Sequence, residues 1–274
     1  PCDRGRRGEA HSGGVRETVT ATAAPLWSDS MRAAWAPPRQ VLPSEWAATS
    51  RIVSKDAAEK GPYSFDRAPH AREVIDCFGP QDPVQEIVLR WAARCSKTEA
   101  ERRGIGYTIA HEPKPTLIVF PDEATAKRQV TREILPLIEE HPDLAQYQTG
   151  ISRDESNEII SLAHMNIYPA WAGSAQATAD RTIGLVVLGE VDKYRDYAGR
   201  DAGAIDTAPR RTETYKHRRK VVYDSTPTLA DGPINRLWKS CTDKRYWHVP
   251  CPECGTSQRL VMSGLKWETR PGES

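Results

Sequence analysis

A lysine and a hydroxyl residue stand side by side in the run Trp91-Ala92-Ala93-Arg94-Cys95-Ser96-Lys97-Thr98-Glu99. A loop that cradles phosphate needs backbone N–H groups curled around it, a lysine for the outer phosphates and a Ser/Thr hydroxyl for Mg²⁺. Lys97-Thr98 supplies that pair, after an apolar run and before helical sequence, but the loop lacks the usual glycines. A Lys-Thr pair opening a helix is also common as plain solvated surface, so the pattern alone leaves both readings open. A second constellation is Leu185-Val-Val-Leu188-Gly189-Glu190-Val191-Asp192. An apolar strand ending in acids can hold Mg²⁺ through water with one carboxylate and polarise an attacking water with the next. It can equally be a buried strand with solvated acids at its end. In Tyr223-Asp224-Ser225-Thr226-Pro227-Thr228 a strand runs into a hydroxyl-rich turn, able to sense a terminal phosphate but also an ordinary loop. Finally, His248-Val-Pro-Cys251-Pro-Glu-Cys254-Gly255 has the form of a zinc knuckle, whose turn aims two thiolates at one ion. Zn²⁺ wants four ligands, and His248 and Cys241 are the only nearby additions, so a complete site and a half-built one stay open.

The elements that must position these groups alternate. Ala68, Ala71, Val74, Ile75 and Phe78 share one face of a helix expected over 66–78, ended by Gly79-Pro80. Strands are expected at 84–91, 116–120, 183–188 and 220–224. Helical sequence runs to about Arg103, and a helix over 122–140 is capped by Asp122. Residues 158–162 and 165–169 read as a hairpin. Apolar strands alternating with helices predict an α/β fold with a mostly parallel sheet covered by helices on both faces. The chemistry then falls at strand carboxyl ends, where open parallel sheets bind ligands. The order of the motifs (lysine loop, acid-ended strand, Ser/Thr-ended strand) makes the core, about 65–230, read as a P-loop NTPase.

The composition is compatible with this. Hydrophobic residues make up 38% of 274, enough for a core, and the net charge of +1 leaves any nucleic-acid-binding surface to be local. Six cysteines are too few for a disulfide scaffold. No apolar run approaches the ~18–20 residues of a membrane helix, so no membrane partner and a soluble, intracellular protein are expected. Residues 1–32, polar and aperiodic, read as a disordered, non-native segment; 33–240 as the nucleotide-binding domain; 241–274 as a truncated zinc-ribbon-like segment, the start of an insertion.

Together these segments resemble the large terminase subunit of lambda-like tailed bacteriophages. The resemblance rests on LPSEWA at 42–47, YSFDRAPHAREVIDCF at 63–78, the loop at 91–99, GYTI at 106–109 and PTLIVFPDEATAKR at 115–128. It continues through GSAQATADRTIGLVVLGEVDKY at 173–194, STPT at 225–228 and WHVPCPECGTSQRL at 247–260. It departs at three positions: Ser96 where the family carries Gly, Trp91 where it usually carries Lys, and Gly189 where it carries Asp. The resemblance implies an ATPase that packages viral DNA into proheads, with ATP and Mg²⁺ as cofactors and Zn²⁺ as a further candidate. Its implied partners are double-stranded DNA, a small terminase subunit, the portal or prohead, and other copies of itself, in the host cytoplasm. It also implies a nuclease domain beyond Ser274. For site residues it implies Lys97 on the β/γ-phosphates and Thr98 on Mg²⁺, with Cys95, Ser96 and Glu99 completing the loop. It implies further that Arg94 is a phosphate-contacting or finger-like arginine, that Glu190 is the catalytic carboxylate, and that Ser225 and Thr226 sense the γ-phosphate. Asp192 is a candidate displaced metal ligand, and Cys251, Cys254 and His248 are metal ligands. A rival expectation is a zinc-ribbon nucleic-acid-binding module with an inactive ATPase domain, which Ser96 and Gly189 favour; another is a helicase-like ATPase.

Overall fold

The computed structural model describes residues 27–35, 40–52, 61–151, 159–174, 181–194, 203–264 and 266. The expectation for residues 1–26 lies outside them. The chain packs as two compact units, Pro1–Gln40 and Val41–Ser274. In the first, a short helix spans Asp29–Trp35, and the Trp27 and Trp35 rings meet edge-on.

The second unit contains a six-stranded sheet. Its strands are β1 (Glu86–Arg90), β2 (Thr116–Phe120), β3 (Ile160–Ser161), β4 (Asn166–Trp171), β5 (Leu185–Leu188) and β6 (Lys220–Ser225). They lie in the order β1-β6-β5-β2-β4-β3. All neighbours are parallel except the β3–β4 hairpin, where Ile160 faces Ile167. The expected mostly parallel sheet is therefore present.

β6, β5 and β2 are largely apolar because both of their faces are covered. Ile118, Leu185, Val187 and Val222 pack into one hydrophobic cluster, while Leu117, Val119, Val186, Leu188, Val221 and Tyr223 pack into another. The division follows the two-residue period of a strand.

Helices α1 (Pro43–Thr49), α2 (Ala71–Asp76) and α3 (Lys97–His111) pack against one another. α2 is shorter than the expected 66–78. Pro69 keeps the residue before it out of the helical region, so the helix begins after it. The predicted face is nevertheless covered: Ala68, Ala71, Ile75 and Phe78 are buried. α3 contains Gly104 and Gly106, which helix propensity disfavours. Close packing explains them. A Cβ at Gly104 would stand 2.3 Å from the Phe78 ring, and one at Gly106 2.3 Å from the Trp46 ring.

The expected helix over 122–140 is interrupted. It runs as α4 (Glu123–Gln129), a π-helical turn over Val130–Ile134 and α5 (Leu135–Glu140). Pro136 has no N–H for the carbonyl of Arg132, and its ring crowds that oxygen, so the turn widens there. Asp122 caps α4 as expected, accepting the Thr125 N–H at 2.8 Å. α6 (Pro233–Ser240) follows β6 and buries Ile234 in the second cluster. Beyond it, Val249–Pro250 and Ser257–Gln258 pair as a small antiparallel hairpin. Among the described residues no helix is long and apolar enough to cross a membrane.

Candidate functional site

β1, β6 and β5 are adjacent and parallel, so their carboxyl ends open on the same edge of the sheet. The loop 91–96 leaves β1 there and turns into α3 at Lys97. Without glycines it still makes left-handed turns: φ is 62° at Arg94 and 60° at Ser96. Left-handed backbone costs a side-chain-bearing residue roughly 1–2 kcal/mol, so something must hold the loop. His70 does so on one side. Its Nε2 lies 3.0 Å from the Cys95 carbonyl, which can only accept, and its ring meets the Trp91 ring at 4.8 Å. Arg94 and Thr98 are exposed, and Cys95 and Ser96 are half-buried.

Glu99 serves the helix itself. Its carboxylate pairs with Arg102 and, at 2.9 Å, with Arg103, which is buried and also donates to Ser50 Oγ. Burial lowers the pKa of Arg103, and Glu99 partly offsets this.

Lys97 is only 7% exposed and reaches both neighbouring strand ends. Its Nζ lies 3.3 Å from Glu190 Oε1 and 3.6 Å from Asp224 Oδ1. Burial opposes its charge, but Asp224 and Glu190 together prevail and raise its pKa. Burial likewise pushes the Glu190 carboxyl up. Lys193, at 2.8 Å, and Lys97 more than offset this and hold it below its ordinary value. Glu190 is itself left-handed, with φ 60°, and Asp224 Oδ1 accepts its backbone N–H at 2.7 Å.

Asp224 and Glu101 are the two site residues that sequence reasoning missed. Asp224 ends an apolar strand as Glu190 does, and that is the signal by which it could be found. Glu101 lies one helical turn after Lys97, on the same face of α3. Both are buried. Burial raises the Glu101 pKa well above the usual carboxylate range, and the adjacent Asp224 adds to it.

The remaining candidates are placed as follows. Ser225 is buried, and its Oγ accepts the Asp192 N–H at 3.1 Å and donates to the Thr226 carbonyl. Thr226 is half-buried beside it. Asp192 faces α6. Its Oδ2 accepts from the Thr228 N–H and hydroxyl, each at 2.9 Å, and its Oδ1 accepts the Ile234 N–H at 2.8 Å. It ties the loop after β6 to the start of α6, with both oxygens engaged.

The cysteine hairpin is separate. Gly255, with φ 72°, returns the chain, and its N–H donates to the Cys251 carbonyl at 2.9 Å. Cys251 and Cys254 are free thiols. Cys241 turns to the Leu237 carbonyl at 3.4 Å. Among the described residues no three His, Cys, Asp or Glu side chains gather to hold a metal, so His248 does not complete a set with Cys251 and Cys254. Two thiols do not fit a four-coordinate zinc site. The segment expected as a truncated zinc ribbon carries Cys251 and Cys254 on this hairpin.

A parallel sheet with a lysine-bearing loop and two acids at one edge defines an α/β protein of the P-loop nucleotide-binding type. The chain belongs to the family described as "Phage terminase large subunit gpA, ATPase domain", which it matches over residues 57–274. Among curated proteins none matches significantly. In fold it is similar to the large terminase of bacteriophage HK97, at a TM-score of 0.53 and 14% identity, over 73% of this chain and 41% of that one. Two structures of the Thermus phage P74-26 large terminase ATPase domain, one of them a mutant, align at TM-scores of 0.46 and 0.44. They share 13% and 12% identity with it, over 72% of this chain and 80% of theirs. The chain thus spans about two fifths of the HK97 protein.

Proposed function

We propose that this ATPase domain hydrolyses Mg-ATP to drive double-stranded viral DNA into a prohead. The observation that carries this is the convergence of Lys97, Glu190 and Asp224 from three separate segments onto one edge of the parallel sheet. The donor set suits the nucleotide. Lys97 is a buried, positioned cation for the outer phosphates, Thr98 offers an exposed hydroxyl to Mg²⁺, and left-handed turns at Arg94 and Ser96 curl the loop. Mg²⁺ would supply charge neutralisation between the β- and γ-phosphates. Arg94, exposed on the loop, contacts phosphate. Glu190 orients and deprotonates the attacking water, its side chain held between Lys97 and Lys193. Ser225 and Thr226 carry the state of the γ-phosphate toward α6, since Ser225 Oγ touches the Asp192 backbone and Asp192 holds α6.

The packaging partners in this proposal are viral DNA, a small terminase subunit, the portal of the prohead and further copies of the chain, in the host cytoplasm. Family membership favours it over the nucleic-acid-binding module with an inactive ATPase domain. The test is steady-state ATP hydrolysis by the purified chain, with and without double-stranded DNA, beside Glu190→Gln. Hydrolysis should fall at least about a hundredfold in the variant, the lower range for loss of a general base. Equal rates in parent and variant would overturn the proposal.

A further inference from the structure

Gly189 gives the site no side chain where the resemblance leads one to expect an acid. The sheet places one beside it. β5 and β6 run parallel with Leu188 opposite Tyr223, so the next pair along the register is Gly189 and Asp224. Asp224 is 3% exposed. Its Oδ1 reaches across to the Glu190 backbone N–H at 2.7 Å and stands 3.6 Å from Lys97 Nζ. An acid on the strand next door thus neighbours the phosphate-binding lysine and holds the backbone of the residue that carries the catalytic carboxylate.

We propose that Asp224 organises Mg²⁺ and its water at this site, in place of the side chain that Gly189 lacks. The assignment rests on the ATPase function proposed above. Two features support a functional acid over a purely structural one. Asp224 both accepts the Glu190 N–H and neighbours Lys97, so its carboxylate, buried at the cost of its hydration, stands where the nucleotide's cations gather. Further, the position beside it stays open. A Cβ at Gly189 would meet nothing nearer than the Val119 carbonyl at 3.7 Å, an ordinary contact, so no steric reason explains the missing acid on β5.

The experiment is calorimetric binding of ADP to the whole chain, with excess Mg²⁺ and with excess EDTA. The readout is the ratio of the two affinities. Asp224→Asn keeps an oxygen for the Glu190 N–H and removes the charge. It should cut the Mg²⁺-dependent tightening by about tenfold, the scale of losses at groups that orient metal ligands. Affinity in EDTA is the reference for each variant, since loss of the Asp224 charge also alters the surroundings of Lys97. Adding Gly189→Asp to Asp224→Asn should restore the Mg²⁺ response. Gly189→Asp alone tests the idea without relying on the folding of Asp224→Asn: with Asp224 already in place, it should change the ratio by less than about twofold. A Mg²⁺ response that survives Asp224→Asn, or one that Gly189→Asp alone raises about tenfold, overturns the assignment while leaving the ATPase function standing. A parent that binds ADP neither with Mg²⁺ nor with EDTA overturns both.

Discussion

Lys97 Nζ and Glu190 Oε1 lie 3.3 Å apart although 93 residues separate them in the chain. The contact joins the loop after β1 to the end of β5, two strands away, and it exists only because β6 between them ends at the same level. A bound phosphate would compete for the same ammonium. Lys97→Ala should therefore weaken Mg-ATP binding by tenfold or more, about 1.4 kcal/mol. Calorimetry that finds the affinity within about twofold of the parent would remove the loop from the nucleotide site.

Ser96 holds φ at 60°, a conformation that glycine adopts freely. Ser96→Gly should stabilise the chain by about 0.5–1 kcal/mol, the left-handed strain less the greater freedom of glycine when unfolded. Urea denaturation reads this as a higher midpoint at unchanged slope. A lower midpoint would mean that the serine side chain contributes more than its backbone costs.

Trp46 fills the notch over Gly106 of α3, and its ring also stacks on His141 at 4.9 Å. Gly106→Ala should destabilise by about 1–3 kcal/mol through overpacking, despite better helix propensity. In a Trp46→Leu background the penalty should shrink, because the two changes share one contact. Additive effects in a denaturation double-mutant cycle would refute the packing explanation.

Lys114 is buried, its stem against Gly184 and its Nζ donating to the Arg218 carbonyl at 3.1 Å. Burial lowers its pKa to about 8. Unfolded, it keeps its proton up to its ordinary value of 10.5. Between these limits the unfolded chain binds more protons, so this lysine makes stability rise with pH, by at most about 1.4 kcal/mol per pH unit. Cys77, raised to about 12 by burial and Asp82, works the other way above its ordinary value of 9.0. Its effect cancels in a comparison of the parent with Lys114→Met. The parent should gain on that variant from pH 8 to 10, and parallel stability curves would contradict the burial of a titrating lysine.

Much of the fold was legible because periodicity is a local property. TLIVF at 116–120 is β2 to the residue, and Asp122 caps the helix expected after it. The covered face of 66–78 was also readable, although Pro69 decided where its helix begins. The π-helical turn was not, since it arises from how one proline competes with a helix that its neighbours otherwise favour. At the site, the sequence singled out Lys97 and Glu190 by the chemistry of their types and the ends of their strands. It could not show that they touch.

Strand order decided the rest. Setting β6 between β1 and β5 brings Asp224 abreast of Gly189 and within reach of Lys97. Read along the chain, Asp192 was the nearer acid to Glu190, but its short turn of helix directs both its oxygens to Thr228 and Ile234. The sequence by itself determined which residues could carry charge, cap a helix or bury a strand, because those properties belong to each side chain and its immediate neighbours. Only the tertiary structure decided which charges meet, because a parallel sheet joins strands through crossovers and sets side by side residues that lie far apart in the chain.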